Sequence, residues 1–425
     1  MSIDRASVLD RFRRSRARTA ALFALVDDRA YYERPIALRN PIVFYEGHIP
    51  SFAVNTLIKR GLGRPGVDGH LETIFARGID PETEATAVAR GNPAWPSRDA
   101  VREYVRAADA LIEDAIQHAE LERDDHPLLR GAEALWTILE HEEMHQETLA
   151  YMWHELPYAV KRKPEDYVTA TGYRDPGAGS RDSRDREPVL IPAGSATLGT
   201  PEGFGWDNEK PAKQVHVAAF DIDRDKVTNA DYLAYMQATG AAAPHFWRSG
   251  AGGWEWRGMF EAVPLPLDWP VYATWVEADA YARWRGRRLA TEAEFQRAAY
   301  GTPGGGERRY PWGDGLNGRA PANFDFVRWD PSPVGAHPDS VSAFGVRELV
   351  GNGWEWTSTE FGPFDGFAAM ASYPEYSADF FDGQHYVMKG ASPVTARALV
   401  RPGFRNWFRT QYPYVYATLR TVGDR

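Results

Sequence analysis

A segment almost without apolar residues divides the chain of 425 residues into two halves. Residues 172–187 read GYRDPGAGSRDSRDRE, and such a run cannot bury enough surface to offset the entropy lost on ordering it. We therefore expect a linker here, between a first domain over residues 1–171 and a second domain over residues 188–425. Two domains also suit the length, because a single hydrophobic core rarely grows beyond about 250–300 residues.

The first domain is predicted to be a bundle of amphipathic helices. Residues 97–122 and 126–156 carry apolar side chains at spacings of three and four residues, with few internal breakers. The N-terminus is expected to form a further helix, because its apolar stretch, residues 20–26, is too short for a secretory signal. Asp4 and Asp10 also interrupt the arginines that precede this stretch. We therefore expect a cytoplasmic protein.

The second domain is predicted to belong to the α+β class. After Pro188 the chain is broken into short segments by Gly, Pro and Asn, and it is rich in aromatic residues, as in GNGWEWT at 351–357. No period of 20 to 50 residues repeats, which excludes a solenoid. The clearest strand patterns are residues 215–219 and 386–389, and the clearest helix patterns are residues 276–285 and 291–299.

The composition excludes several kinds of function. The chain has no cysteine, so disulfides, thiolate metal sites and cysteine nucleophiles are excluded. Lys and Arg number 49 against 59 Asp and Glu, and the resulting net charge of −10 does not favour nucleic acid as a partner. No run of about 18 apolar residues is present to span a membrane. Any bound metal must therefore be held by histidine or carboxylate side chains.

The strongest local signal is the sequence HEEMHQE at residues 141–147. Residues four apart on a helix share one face, so His141 and His145 point in the same direction. Ile138 and Leu149 extend this stripe and place both imidazoles on the inward face of the bundle. A shared divalent cation would give both rings a partner in the core; a pair of surface or hydrogen-bonded core histidines is the alternative.

His48 is the third predicted metal ligand, because the aromatic and apolar residues around it, 41–52, indicate burial. Three imidazoles with open positions suit either a catalytic zinc or a non-haem iron(II), and the ligands alone do not separate the two. Glu147 lies two residues after His145 and therefore off the ligand face. It is expected either to hydrogen-bond to the ligands without binding the metal, or to be an ordinary acidic residue on the helix surface. Glu142 and Glu143 are expected at the surface.

Six motifs are spread along the second domain: IPAGSATLG (191–199), FGWDNEKP (204–211), VTN (227–229), RRLATEAE (287–294), YPWGD (310–314) and VGNGWEWT (350–357). Together they resemble the formylglycine-generating-enzyme fold, a variant of the C-type lectin-like fold. The first domain, with its H-x3-H-x-E motif, resembles a DinB-like four-helix bundle. The whole chain is therefore similar to the sulfoxide synthases of the ergothioneine and ovothiol type, and the resemblance implies a two-domain fold of classes α and α+β.

These synthases are iron(II)- and oxygen-dependent enzymes that join a sulfur donor to the imidazole of histidine or of hercynine, its trimethyl derivative. The resemblance implies that His48, His141 and His145 hold iron rather than zinc, that O2 is a co-substrate and that the substrates are small molecules. It also implies that Asn406 and Trp407 line the hercynine pocket, in keeping with the attraction of a quaternary ammonium to ring faces.

Three positions depart from the ergothioneine-type pattern. An acid and a base that hold an amino-acid thiol in that family are replaced by Phe408 and Tyr412, and a Gln near the imidazole substrate is replaced by Met144. A related branch, the selenoneine synthases, takes a selenosugar, whose hydroxyls and lack of charge suit Tyr412. We therefore expect C–Se bond formation between hercynine and a selenosugar. A cysteine-type thiol, which would give a sulfoxide with hercynine or histidine, is the alternative donor.

The resemblance also requires a proton donor near the bound oxygen. Tyr373 and Tyr376 are the candidates. A different alignment brings Phe364 to this place, and a phenyl ring cannot donate a proton. For each tyrosine, a core ring with its hydroxyl at the surface is the alternative.

Three other functions compete with this one. A true formylglycine-generating enzyme is excluded, because that chemistry uses paired cysteines and the chain has none. A zinc-dependent DinB-type thiol transferase is a second alternative, and turnover without oxygen would indicate it. A non-catalytic sugar-binding module is the third, and the absence of bound metal would indicate it.

Overall fold

The chain forms two compact units in a computed structural model that describes residues 3–76, 94–165, 167–168, 187–316 and 321–425. The first unit comprises Met1–Glu165 together with Ala371–Tyr373, and the second comprises Asp166–Met370 and Pro374–Arg425. Residues 172–186 of the predicted linker lie outside the described residues. Within the described part, no helix is both long enough and apolar enough to cross a bilayer.

The first unit is helical, as predicted. Asp4 caps the first helix by accepting a hydrogen bond from the backbone N–H of Ser7, and Ser97 caps the fourth in the same way through Ala100. A π-helical stretch, Val54–Gly61, continues directly from the second helix. The helices are α1 Arg5–Ala24, α2 Ile42–Ala53, α3 Gly69–Ile74, α4 Arg98–His118 and α5 Glu133–Glu155.

Helix α5 begins seven residues later than the predicted start at residue 126, so that boundary was wrong. Gly131 and Ala132 adopt left-handed backbone angles, with φ of 59° and 55°, which interrupts a continuous helix from residue 126. From Glu133 onward α5 packs against α1, while α2 packs against α4. Most side chains of α5 are buried, so α5 forms the centre of the unit.

The second unit is built from short strands in four sheets, together with helices and irregular chain. The strand orders are β1-β4-β13-β8, β11-β10-β9-β12, β2-β3 and β5-β6-β7, and every pairing is antiparallel except that of β9 with β12. The strands are β1 Val189–Ile191, β2 Gly194–Leu198, β3 Lys213–Val217, β4 Phe220–Ile222, β5 Trp247–Gly250, β6 Gly253–Arg257, β7 Ala262–Pro264, β8 Arg288–Leu289, β9 Gly353–Glu360, β10 His385–Ala391, β11 Asn406–Arg409, β12 Ala417–Thr418 and β13 Thr421–Asp424.

Three helices of the second unit begin with a capping box. Thr228, Thr274 and Thr291 each accept a hydrogen bond from the backbone N–H three residues later, where an acidic side chain reaches back to the threonine N–H. This reciprocal capping explains why helices start at these points in a chain rich in turns. The helices are α6 Asn229–Thr239, α7 Trp275–Trp284, α8 Glu292–Tyr300 and the short α9 Glu375–Ala378.

A buried charged cluster is centred on Glu355 of strand β9. The ammonium group of Lys226 donates to Glu355 at 2.7 Å, and the Arg420 guanidinium donates to the same carboxylate at 2.9 Å. Glu348 lies close to this cluster, and its carboxylate accepts a hydrogen bond from the Gly335 N–H at 3.0 Å. Burial raises the pKa of Glu348 to about 7, and the negative charge of Asp225 adds to the increase, although Lys226 and Arg420 oppose it.

The raised pKa of Glu348 predicts a stability that falls as the pH rises. The folded state favours the protonated carboxyl, so this contribution is complete below about pH 4.5 and is lost as the pH passes through 7. Glu348→Gln keeps the shape without the charge and should be more stable than the wild type at pH 8, by up to about 3 kcal/mol. Thermal unfolding at pH 5.5 and pH 8 measures this, with the exposed Glu360→Gln as control. Equal pH dependence in Glu348→Gln and the wild type would contradict the prediction.

Candidate metal centre

Three histidines from two helices of the first unit lie next to one another. His48 lies on α2, and His141 and His145 lie one turn apart on α5. One ring nitrogen from each histidine lies within 4.8 Å of the other two, and the Nε2 atoms of His141 and His145 are 3.1 Å apart. The structure therefore brings together the three side chains that the sequence singled out as metal ligands.

The environment keeps the three rings uncharged. Burial lowers the pKa of His48 to about 4. The pKa values of His141 and His145 also lie well below the usual value, again mainly because of burial, with a further contribution from the neighbouring imidazoles. A neutral imidazole keeps one nitrogen lone pair available for a metal, so this environment favours the ligand form of all three side chains.

A hydrogen bond decides which nitrogen of His48 faces the cluster. Nδ1 lies 2.7 Å from the backbone carbonyl oxygen of Phe75, and because a carbonyl only accepts, Nδ1 must be the donor. The lone pair is therefore on Nε2, which is buried and has no hydrogen-bond partner among the described residues. The three histidines thus direct one nitrogen each toward a common point, and Nε2 of His48 has no other partner among the described residues. Such a set of ligands fits a divalent cation that accepts imidazole, such as zinc or iron(II).

Aromatic rings hold the imidazoles in place. Phe44 stacks on His48 with a centroid distance of 4.9 Å, and Phe52 stacks on His141 at 3.7 Å. Phe75 fits against the α2 backbone only because residue 47 is glycine: a Cβ atom there would lie 2.4 Å from the Phe75 ring. The roles of Phe75 and Gly47 were not predicted, because sequence spacing does not show which backbone carbonyl a side chain will meet.

The opposite face of α5 is anchored to α1. Glu142 accepts hydrogen bonds from Arg16 at 2.8 Å and from Thr19 at 2.6 Å. Glu143 receives two hydrogen bonds from Arg11, at 3.0 and 2.6 Å. The expectation that Glu142 and Glu143 lie at the surface was therefore wrong: both are buried, and their carboxylates are engaged by α1.

Glu147 and Met144 also lie on α5. Glu147 is buried, which is at odds with the alternative of a surface acid. Met144, between the two histidines, is partly exposed. Their predicted roles, support of the ligands for Glu147 and substrate contact for Met144, stay predictions.

The candidate proton donors lie in different surroundings. Tyr373 groups with the first unit, where its ring centroid lies 5.2 Å from that of Phe52 and 6.2 Å from that of His141. Tyr376 belongs to the second unit, where it stacks on Trp206 at 4.0 Å. Phe364, the alternative position, is buried, with the Arg405 guanidinium 4.4 Å from its ring centroid. Of the two tyrosines, Tyr373 is thus the one placed beside a predicted metal ligand.

Apart from Met144, the residues predicted to bind substrate lie in the second unit, where their rings belong to two separate stacks. Trp407 stacks on Phe361 with centroids 4.2 Å apart and an interplanar angle of 4°, and the Asn406 side chain accepts a hydrogen bond from the Trp407 N–H at 2.9 Å. Phe408 and Tyr412 stack on each other at 5.0 Å. Trp407 and Phe408 are consecutive residues of β11, so their rings lie on opposite faces of the strand.

Replacement of Gly47 tests whether the Phe75 carbonyl matters for metal binding. Gly47→Ala should displace the buried Phe75 ring and weaken its hydrogen bond to His48, lowering the affinity for a divalent cation about 10- to 100-fold. Titration of the metal-free protein with ferrous iron under anaerobic conditions measures this. Gly69→Ala is the matched control, because a Cβ atom at residue 69 meets nothing within 4 Å. Wild-type affinity in Gly47→Ala would show that this contact does not orient the ligand.

Comparisons with known proteins match both halves of the chain. The family model for the DinB superfamily matches residues 11–149, and the model for the Sulfatase-modifying factor enzyme 1-like domain matches residues 174–425. These matches confirm the predicted two-domain fold.

Several relatives match nearly the whole chain. A hercynine oxygenase of Mycolicibacterium smegmatis is 31% identical over 99% of this chain and 100% of its own length. A hercynine oxygenase of Mycolicibacterium thermoresistibile is 30% identical over 94% of this chain and 90% of its own length. Ergothioneine biosynthesis protein 1 of Neurospora crassa is 28% identical over 92% of this chain and 55% of its own length. The chain is therefore an enzyme of the hercynine oxygenase family, with a DinB-type domain followed by a domain of the sulfatase-modifying-factor type.

Proposed function

We propose that the protein is an iron(II)- and oxygen-dependent synthase that joins selenium from a selenosugar to the imidazole carbon of hercynine. The observation that carries this proposal is the convergence of three uncharged imidazoles, two of them buried (His48 and His141) and one partly exposed (His145), with one ligand nitrogen each within 4.8 Å of the others. Small-molecule substrates follow from the chemistry of such a centre, which leaves positions open for exogenous ligands.

The choice of iron rather than zinc rests on the kind of reaction. Relatives of this chain are named oxygenases, and zinc has no redox chemistry with which to use oxygen. When bound, iron(II) supplies the one-electron chemistry with dioxygen that couples a chalcogen to the imidazole ring. The protein contributes the three ligands, the fixed tautomer of His48 and the aromatic walls formed by Phe44 and Phe52.

The acceptor is proposed to be hercynine, because two relatives of this chain are hercynine oxygenases. Its trimethylammonium group is best held by ring faces, and Trp407, backed by Phe361 and flanked by the Tyr376 ring at 5.1 Å, offers one. Tyr373 is the residue that we assign as proton donor, because its ring lies beside His141. Tyr376 packs instead against Trp206.

A selenosugar is the proposed donor because the donor-binding positions carry no charge. Phe408 and Tyr412 stack on each other, so they offer an aromatic surface and one hydroxyl. Such a surface suits an uncharged sugar and gives no ion-pair partner to the charged groups of an amino-acid thiol. A cysteine-type thiol is the second candidate donor, and the relative named ergothioneine biosynthesis protein 1 favours it.

A donor panel tests the proposed reaction. The full chain, loaded with ferrous iron under anaerobic conditions, is given hercynine and oxygen with selenoglucose, cysteine or γ-glutamylcysteine, and the products are identified by mass. We expect a C–Se product with selenoglucose and little product with either thiol. Coupling to the thiols alone would overturn the choice of donor, and turnover without oxygen would support a zinc thiol transferase. No product and no oxygen uptake with any donor would overturn the function itself.

Tyr412→Phe tests whether the Tyr412 hydroxyl binds the selenosugar. It keeps the stacked ring and removes only the hydroxyl, so the KM for selenoglucose should rise about 2- to 10-fold, as expected for loss of one uncharged hydrogen bond. The KM for hercynine should not change. An unchanged KM for the selenosugar would remove Tyr412 from the donor site.

A further inference from the structure

A short segment that is distant in sequence from the helices belongs to the helical unit. Ala371–Tyr373 group with the first unit, whereas the chain on either side of them groups with the second. Ser372 is 1% exposed, and the side chains of Ala371 and Tyr373 pack against the apolar core of the helices. The segment is in neither a helix nor a strand, so its backbone groups must find their hydrogen-bond partners elsewhere.

Two charged side chains supply partners for the backbone of this segment. The Arg60 guanidinium, near the end of the π-helical stretch, donates to the carbonyl oxygens of Ala371 at 2.7 Å and Ser372 at 3.0 Å. The Ser372 N–H in turn donates to the Glu133 carboxylate at 2.8 Å. Because a guanidinium offers several donors in one plane, Arg60 can hold two consecutive carbonyl groups at once.

The Ser372 side chain provides a further anchor on α5. The hydroxyl oxygens of Ser372 and Thr137 are 2.9 Å apart, and both residues are buried, so the hydrogen bond between them is shielded from solvent. Glu133, Thr137 and His141 follow one another at intervals of four residues and therefore lie on one face of α5. The helix face that carries His141 thus also fixes the residue next to Tyr373.

This anchoring brings the Tyr373 ring to the three-histidine centre. The ring centroid of Tyr373 lies 5.2 Å from that of Phe52 and 6.2 Å from that of His141, and Phe52 stacks on His141 at 3.7 Å. Tyr373 is partly exposed, so packing encloses its ring only in part. The anchored backbone of Ser372 therefore contributes to the position of the Tyr373 ring.

We propose that Arg60 and Thr137 are positioning residues of the reaction, because by fixing Ser372 they hold Tyr373 beside His141. This inference rests on the proposed function, in which Tyr373 is the proton donor. A proton donor must stay within hydrogen-bond reach of its acceptor, and a misplacement of about 1 Å can slow a reaction about 100-fold. Both residues act through Tyr373 and not on substrate binding, so their loss should lower kcat and leave the KM values unchanged.

Hydrogen exchange of the metal-free full chain tests the anchoring itself, without substrate or turnover. Peptides that span residues 371–373 are compared by mass spectrometry in the wild type, Arg60→Met, Thr137→Val and Thr137→Ser. We expect exchange in this segment to be about tenfold faster in Arg60→Met and Thr137→Val, as for loss of a hydrogen bond. Thr137→Ser keeps the hydroxyl and should exchange like the wild type. Wild-type exchange in Arg60→Met or in Thr137→Val would overturn the role of that residue.

Steady-state oxygen uptake of the iron-loaded variants tests the effect on the reaction. The substrates are hercynine and selenoglucose, with cysteine in place of selenoglucose if only the thiols couple. Arg60→Met and Thr137→Val should lower kcat about 10- to 100-fold, with KM values and iron content unchanged. Thr137→Ser should restore most of kcat, and Arg64→Met, which removes a neighbouring exposed arginine, should match the wild type. A higher KM with an unchanged kcat would place these residues in substrate binding and overturn the inference.

A double-mutant comparison separates the positioning of Tyr373 from a general effect on the fold. Tyr373→Phe should lower kcat about 10²- to 10⁴-fold. Addition of Thr137→Val to Tyr373→Phe should cause no further loss, because no proton donor is left to position. An equal loss from Thr137→Val in both backgrounds would overturn the inference alone. Wild-type kcat in Tyr373→Phe would overturn the assigned proton donor, and no turnover of the wild type with any donor would overturn the proposed function; either result would overturn the inference as well.

Discussion

The candidate site depends on the clustering of three uncharged imidazole rings at one point of the helical unit, two of them buried and the third, His145, partly exposed. A buried polar atom without a partner costs about 1–3 kcal/mol, and Nε2 of His48 has no partner among the described residues. The hydrogen bond from Nδ1 of His48 to the Phe75 carbonyl sets the orientation of the His48 ring, so that Nε2 faces His141 and His145. A shared cation would give one nitrogen of each ring a partner, including Nε2 of His48, so the burial that disfavours the empty cluster favours metal binding.

The two faces of α5 have different roles in this site. One face carries His141 and His145, and the other is fixed to α1 by the carboxylates of Glu142 and Glu143. These buried ion pairs set the rotation of α5 and so determine where the imidazoles point. Partial exposure begins at Met144 and His145, which gives the centre an accessible edge without exposing His48 or His141.

The ligand set of the candidate site could be predicted from the sequence, because helix periodicity and apolar surroundings can be recognised over short stretches of chain. The spacing of His141 and His145 placed both on one helix face, and the apolar surroundings of His48 indicated its burial. The start of α5 was missed because the glycine at residue 131, which readily adopts left-handed angles, was not taken as a break, and the left-handed angle at Ala132 has no sequence signal. The Phe75 carbonyl was missed because it lies 27 residues from His48 and any residue supplies a carbonyl.

The central claim is that the three histidines hold a redox-active metal ion, and iron retention tests it most directly. His141→Ala is compared with His118→Ala, which removes an exposed histidine of α4. After anaerobic loading with ferrous iron and desalting, we expect about one iron per chain in the wild type and in His118→Ala. His141→Ala should retain almost none while unfolding near the wild-type temperature. Iron retained at the wild-type level in folded His141→Ala would contradict the account.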